Sequence, residues 1–166
     1  MDNRPDFIRT LLETASSELQ GAGYAHYEIS NYAKPGFECR HNLNYWDNGE
    51  YLGLGCSAAS HIGGVRKING PMLDLYCKFI EEDNSSTFSC VEKLEGKEKL
   101  GETLMLGLRK LGGMSVTREM QAAFGRDFDE LESQGLLLRE KDVIRLAAGA
   151  VYVSNAVFRR FVPPFD

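Results

Sequence analysis

Residues 27–55 of the chain read YEISNYAKPGFECRHNLNYWDNGEYLGLG, and side chains able to bind ligands are concentrated there. The stretch contains four tyrosines, one histidine and the only tryptophan of the protein. Turn signals at residues 33–36 and 47–49 bracket the segment HNLNYW, because proline and glycine in such positions favour tight turns. We therefore predict a defined, functional loop over residues 31–49. The alternative is an ordered surface loop whose aromatic side chains fill a core.

The sequence before and after this stretch predicts a mixed α/β fold. Residues 24–29 are rich in aromatic side chains, which is typical of a strand. Residues 51–56 predict a strand or bulge in which Gly53 and Gly55 allow another backbone to approach closely. An amphipathic helix is predicted before the first strand, because apolar residues recur there at helical spacing: Ile8, Leu11, Leu12, Ala15 and Leu19.

The second half of the chain predicts a separate module. Pro71 opens a helix, and the polar residues 83–87 mark a domain boundary, which gives domains 1–86 and 87–166. A helix beginning near Lys97 and ended by Gly112 and Gly113 is followed by two short helices, at 117–124 and 127–134. A hairpin over residues 136–146 and a final helix complete a winged-helix-like arrangement. The expected class is therefore α/β (α+β).

Composition and charge narrow the range of partners. The 166 residues are 43% hydrophobic and 26% charged, which is ordinary for a globular protein, and the net charge is −5. The net negative charge and four carboxylates at residues 127–132 disfavour binding to nucleic acid, since phosphates would be repelled. No signal peptide or membrane-spanning run is apparent, so we predict a cytoplasmic protein with reduced thiols.

The four cysteines do not form a recognised metal motif. Cys39 and Cys56, together with His41 and His61, could gather as a zinc site, although their spacing is not that of zinc knuckles. Separate buried thiols are the favoured interpretation.

Six segments in order carry a family resemblance: YEISNYAKPG, HNLNYW, YLGLG, GETLMLGLRKLGGMSV, QGLLL and VSNAVF. The chain resembles the oxygen-independent coproporphyrinogen III oxidase family of radical S-adenosylmethionine (SAM) proteins, and most of all its haem-chaperone branch. The resemblance implies the last helix and strand of a radical SAM α/β barrel followed by a winged-helix-like C-terminal domain. Met1 is then not expected to be the natural beginning, and the rest of the barrel would be supplied by the missing N-terminal part.

The resemblance implies that haem, or another tetrapyrrole, is the ligand. His41 would be the axial metal ligand, and Tyr45 and Trp46 would form an apolar wall. Asn42 and Asn44 would meet propionates or orient the loop. The alternative for His41 is a hydrogen-bonded structural histidine. A haem-acceptor protein is the implied partner.

The resemblance also places Glu28, Ser30 and Asn31 at the ligand-facing end of a barrel strand. Alternatively, Ser30 and Asn31 bond nearby backbone within a turn. The family usually has a histidine at the position of Ala59, whereas here His61 follows two residues later.

The chain lacks the CxxxCxxC triplet that holds the [4Fe–4S] cluster in radical SAM proteins. The resemblance therefore assigns the cluster and SAM to the full-length protein, and we expect this chain alone to be catalytically inactive. The alternatives to a haem-chaperone fragment are a fragment of a coproporphyrinogen III oxidase and an interaction module that docks a protein. A barrel strand without its neighbours also predicts self-association through residues 24–29.

Overall fold

The computed structural model describes residues 5–82 and 88–165 and confirms the mixed α/β class. The first half contains α1 (Pro5–Gly21), β1 (Ala25–Glu28), β2 (Asn31–Ala33), α2 (Arg40–Trp46), β3 (Ala59–Ile62), β4 (Val65–Asn69) and α3 (Leu73–Glu81). The second half contains β5 (Phe88–Glu92), α4 (Gly96–Gly107), β6 (Met114–Ser115), α5 (Arg118–Ser133), β7 (Leu137–Glu140), β8 (Val143–Leu146) and α6 (Ser154–Phe158). Short 3-10 helices, Ala148–Val153 and Arg159–Phe161, flank α6.

The predicted first helix and strand are confirmed. The strand β1 forms an antiparallel hairpin with β2, in which Ala25 lies opposite Ala33. Its far edge is partly occupied, because the Ile29 N–H donates to the Arg109 carbonyl at 3.0 Å and the Leu111 N–H donates to the Tyr27 carbonyl at 3.1 Å. The hairpin is therefore tied to the segment that follows α4.

The prediction of a loop over residues 31–49 is wrong, because HNLNYW lies within a helix. The helix α2 spans Arg40–Trp46, and its last turn closes when the Asp47 N–H donates to the Leu43 carbonyl at 2.9 Å. A helix of seven residues leaves no long apolar repeat in the sequence, so periodicity does not reveal it. Contacts made by its C-terminal end, described below, hold it in place.

The middle sheet has the order β3-β4-β5 and is antiparallel throughout. Ile68 of β4 lies opposite Ala59 of β3 on one side and Cys90 of β5 on the other. The sheet therefore includes residues on both sides of the predicted boundary at 86/87. The polar break at 83–87 lies outside the described residues.

The C-terminal part contains the predicted hairpin, β7 and β8, which gains β6 as a third strand in the order β6-β8-β7. The two short helices predicted at 117–124 and 127–134 form one continuous helix, α5, which corrects that prediction. The Thr117 hydroxyl caps α5 by accepting from the Met120 N–H at 3.2 Å. Gly125 does not break the helix, because Phe124 and Phe128 on either side are both buried.

The main hydrophobic core lies in the C-terminal part. Within residues 7–82, Ala33 is the only buried apolar side chain, and the buried polar ones include Glu28, Ser60, His61 and Asn69. None of the helices formed by the described residues combines the length and apolar character needed to cross a bilayer. The core consists of Leu104, Leu108, Met120, Phe124, Phe128, Leu131, Leu137, Ile144, Leu146, Ala150, Val157, Phe158 and Phe161.

Candidate functional site

Four rings form a row from the surface of α2 to the interior of the middle sheet. His41 is exposed on α2, and its ring meets that of Tyr45, one turn later, edge-on with centroids 4.7 Å apart. Tyr45 in turn packs edge-on against Tyr51 at 4.4 Å, and Tyr51 lies 6.0 Å from His61. We call His41, Tyr45, Tyr51 and His61 the aromatic row. It connects the predicted metal ligand to the sheet.

The inner end of the row is fixed by backbone pairing. Tyr51 and His61 exchange two backbone hydrogen bonds of 2.9 and 2.8 Å, and His61 Nδ1 lies 3.1 Å from the Gly49 carbonyl oxygen. His61 is only 5% exposed, so it is a structural member of the row. It lies two residues after Ala59 on β3, and residues two apart share one face of a strand. This spacing of two residues could have predicted from the sequence that His61 lies on the same face as Ala59, where the similar family usually has a histidine.

Trp46 is directed away from the aromatic row. The Arg109 guanidinium lies 4.6 Å from the centroid of its indole and 5.5 Å from that of Phe158. Both Trp46 Nε1 and Arg109 Nε are buried with no hydrogen-bond partner among the described residues. Burial lowers the pKa of Arg109, and the charge of Glu28 opposes that shift. Trp46 thus anchors α2 to the C-terminal core.

The spacing of residues on α2 separates the predicted haem-binding set into two groups. His41 and Tyr45 are four apart and share one face, whereas Asn42 and Trp46, also four apart, share the next. The predicted haem-binding role of all four stays a prediction. On this geometry, His41 and Tyr45 are the pair available to one ligand face.

The turn after α2 is tied to α4 by polar contacts. Lys110 pairs with Asp47, and Asn48 adopts a left-handed conformation with φ of 52°. The Asn48 amide donates to Glu102 at 3.2 Å and to Thr103 at 3.1 Å. These contacts join residues far apart in the chain, so no local sequence pattern predicts them.

Glu102 is the centre of a charged cluster between α4 and β4. Arg66 contacts its carboxylate at 2.7 Å, and Lys99 lies at 3.6 Å. Burial alone would raise the pKa of Glu102, but the hydrogen bonds and charges of Arg66, Asn48 and Lys99 outweigh it, so the pKa is lowered. The carboxylate therefore links three elements in its ionised form.

Glu28, Ser30 and Asn31 are brought together at the β1–β2 turn. Glu28 is fully buried and accepts hydrogen bonds from the Ser30 N–H at 3.2 Å and from the Asn31 side-chain amide. These contacts agree with the local interpretation of the turn. A role for the three residues in binding a ligand stays a prediction.

The zinc interpretation is wrong for this structure. Among residues 5–82 and 88–165, no three His, Cys, Asp or Glu side chains are placed to hold a metal ion. The prediction of buried thiols is also wrong, because Cys39, Cys77 and Cys90 are exposed and Cys56 is half-buried. All four are free, which agrees with the expected separate thiols.

Comparisons with known proteins give one consistent result. The chain is 33% identical over 147 residues to the heme chaperone HemW of Lactococcus lactis, a match that covers 84% of this chain and 38% of the relative. It is 36% identical over 146 residues to HemW of Bacillus subtilis, covering 87% and 38%. For HemW of Mycobacterium tuberculosis the identity is 31% over 160 residues, covering 93% and 39%. No protein-family model matches the chain.

A solved structure shares the fold. The coproporphyrinogen III oxidase HemN from Escherichia coli, a radical SAM enzyme, matches with a TM-score of 0.69 at 18% identity, over 92% of this chain and 40% of the enzyme. The chain therefore spans about two fifths of the length of the proteins it matches. It is similar to the C-terminal portion of HemW- and HemN-like radical SAM proteins, and the radical SAM barrel is not in this chain.

The iron–sulfur cluster does not fit the residues present. Holding it requires three closely spaced thiolates, whereas the four cysteines lie on separate segments without the CxxxCxxC spacing.

Proposed function

We propose that the chain is the haem-binding C-terminal part of a cytoplasmic haem chaperone, which holds haem for delivery to an acceptor protein. The observation that carries the proposal is the exposed His41 imidazole on α2, with Tyr45 packed against it. The similarity to proteins named heme chaperone HemW supports haem as the cargo. The cluster and SAM would bind in the part of the longer protein that lies outside this chain.

The aromatic row suits the binding of iron by a single imidazole. An imidazole nitrogen of His41 could bind haem iron, and the orientation of the ring is limited by its edge contact with Tyr45. Tyr51 supports Tyr45 from behind at 4.4 Å, so the pair is held on the sheet. The face of the Tyr45 ring would cover part of a bound porphyrin, and the hydrophobic effect would favour that contact. Asn42, on the neighbouring face of α2, is the proposed donor to a propionate.

A haem titration of the chain, followed by Soret absorbance, tests this proposal. His41→Ala should weaken binding and shift the Soret band, because the axial nitrogen is lost. His26→Phe is the matched control, since the His26 ring is stacked on Tyr32 at 4.0 Å and phenylalanine keeps that stack. Identical haem spectra and affinities for the wild type and His41→Ala would return His41 to a structural role.

The second candidate is a part of a coproporphyrinogen III oxidase, which the fold match to HemN favours. This enzyme would decarboxylate its porphyrinogen substrate oxidatively, and the present chain would cover the barrel rather than carry the chemistry. The two candidates differ in the longer protein. Turnover of coproporphyrinogen III by the full-length protein, with its cluster assembled and SAM present, would select the enzyme. Stoichiometric haem binding without turnover would select the chaperone.

A further inference from the structure

A cavity that His41 does not line lies between α3 and the middle sheet. Its volume is about 380 Å³, within the range of small-molecule sites. Its walls are mainly apolar and come from the segment after Tyr51, from the three strands of the sheet and from α3. The lining side chains include Leu52, Leu54, Ile62, Ile80, Lys67 and Phe88.

The rim of this cavity is built by hydrogen bonds. The Gly53 N–H donates to the Ser60 hydroxyl at 2.9 Å, and the Gly55 N–H donates to the Tyr76 hydroxyl at 3.1 Å. The buried Asn69 amide donates to the Gly55 carbonyl at 2.8 Å. These bonds hold Leu52 and Leu54 over the sheet, although the two side chains are 68% and 79% exposed. The cavity is therefore preformed, with an apolar rim open to solvent.

The charge of the lining selects the ligand. Of the described residues that line the cavity, Lys67 alone is charged. The Lys67 Nζ lies 4.7 Å from the centroid of the Phe88 ring, so the ammonium group is held beside an apolar wall. A single cation in an apolar cavity complements a molecule with a hydrophobic body and one anionic end.

We propose that this cavity binds an amphipathic carboxylic acid, with the hydrophobic body against Ile62 and Ile80 and the carboxylate paired with Lys67. The described lining contains no histidine or cysteine, so binding needs no bond to iron. The site is thus distinct from His41 and does not depend on the proposed haem ligation. A fatty acid and the propionate edge of a tetrapyrrole are two sources of the same chemistry.

Titrations with three probes test the proposal and identify the source. Decanoate and decanol, measured by calorimetry, differ only in the charged end. Metal-free protoporphyrin IX, followed by its fluorescence, carries propionates but no iron, so its binding is separate from any axial ligand. We expect one-to-one binding of decanoate, protoporphyrin IX or both, and the acid that binds identifies the source.

Substitutions on α3 locate the site. Ile80→Glu places a negative charge in the cavity and should weaken acid binding at least about tenfold, because like charges repel and apolar area is lost. Leu73→Glu is the matched control on the same helix, since Leu73 lies outside the lining. The two side chains are 60% and 64% exposed, so both variants are expected to fold, which circular dichroism verifies. Equal effects of the two substitutions would overturn the proposal.

A substitution of Lys67 tests the charge. Lys67→Gln should weaken decanoate binding about tenfold and leave decanol binding within about twofold, because only the acid loses an ion pair. Equal effects on the acid and the alcohol would overturn the assignment of Lys67. If neither decanoate nor protoporphyrin IX binds the wild-type chain stoichiometrically, the proposed site is wrong.

Discussion

At the scale of single residues, Arg109 connects the candidate site to the core, because it contacts Trp46 of α2 and Phe158. Its guanidinium carbon lies over the rings of Trp46 and Phe158, 4.6 and 5.5 Å from their centroids. Cation–π contacts shielded from water stabilise a protein by about 2 kcal/mol, against less at exposed sites. The position of α2, and with it His41, therefore depends on a residue outside the predicted haem-binding set.

Arg109→Ala is expected to lower the free energy of unfolding by about 2 kcal/mol, because both ring contacts are lost. It should also shift the emission of Trp46, the only tryptophan, to longer wavelength as the indole gains water. Urea titration followed by that emission measures both effects. Arg126→Ala is the control, because the Arg126 side chain is 91% exposed and pairs only with Glu130 in the described chain. An unchanged emission maximum in Arg109→Ala would contradict the contact between Arg109 and Trp46.

The sequence predicted His41 and Tyr45 through the HNLNYW segment, and the structure places their rings in contact. It could not predict Arg109 as the partner of Trp46, because no local spacing relates two residues on separate elements. For the same reason, the sequence could not predict that Lys67 lines a cavity, because the apolar side chains around it come from separate elements. The sequence therefore singles out candidate residues on α2 but not their tertiary partners.

At the scale of elements, α2 shows how a short helix depends on its end. Its C-terminal turn continues into Asn48, which has φ of 52° and hydrogen bonds to α4. Left-handed conformations cost most residues about 1 kcal/mol or more, while asparagine and glycine tolerate them. Asn48 thus combines a permissive backbone with an amide that reaches Glu102.

Replacing Asn48 separates these two contributions. Both Asn48→Gly and Asn48→Ala lose the side-chain hydrogen bonds, but only alanine also strains the backbone. We expect the order of stability to be wild type, then glycine, then alanine, with about 1 kcal/mol between the two variants. Urea unfolding at neutral pH gives the order. An alanine variant as stable as the glycine variant would show that the backbone conformation at this turn carries no cost.

Elements marked by an apolar repeat or a turn signal were predictable, whereas α2 and the continuity of α5 were not. The apolar spacing of its residues predicted α1, and the turn between β7 and β8 predicted their hairpin. The seven residues of α2 offered no repeat, so that helix was taken for a loop. Two helices were predicted where α5 is continuous through Gly125, because a single glycine costs a helix only about 1 kcal/mol. Burial of Phe124 and Phe128 offsets that cost.

At the scale of the whole molecule, the cluster around Glu102 joins the two halves of the chain. Glu102 lies on α4, Arg66 on β4 and Asn48 after α2. Because the folded protein lowers the pKa of Glu102, the ionised carboxylate contributes stability above the pKa of the unfolded chain. That contribution is lost as the pH falls through the lowered folded-state pKa.

Glu102→Gln is therefore expected to be less stable than the wild type at pH 7, and the difference should shrink as the solution is acidified below about pH 4, near the usual glutamate pKa. Urea unfolding at several pH values measures the difference. Glu98→Gln removes another carboxylate from α4, one that is exposed, and serves as the control at pH 7. A difference that stays constant from pH 7 to acid would show that Glu102 is not linked to folding through its proton.

Self-association stays a prediction, and the structure indicates a different surface for it. The edge of β1 is partly paired with residues 109–111. An apolar surface is exposed instead on α1, where Phe7, Ile8, Leu11 and Leu12 are each about half exposed. Contiguous apolar patches of this kind favour association.

We expect the sedimentation coefficient of the chain to rise with concentration, and Leu12→Lys to reduce that rise by placing a charge within the patch. Glu18→Gln, an exposed polar change on the same helix, should leave it unchanged. A wild-type chain that sediments as a monomer at all concentrations would contradict this prediction.

The antiparallel pairing of β4 with β5 has a consequence for how the chain comes apart. Four residue pairs, from Arg66–Glu92 to Asn69–Phe88, connect strands that lie on opposite sides of residues 83–87. Separating the halves would open a row of backbone donors and acceptors on β4, which water alone would have to satisfy. Heat or denaturant should therefore unfold both halves in one cooperative step.

Two polypeptides, 1–82 and 88–166, made separately and then mixed, should reassemble by pairing β4 with β5.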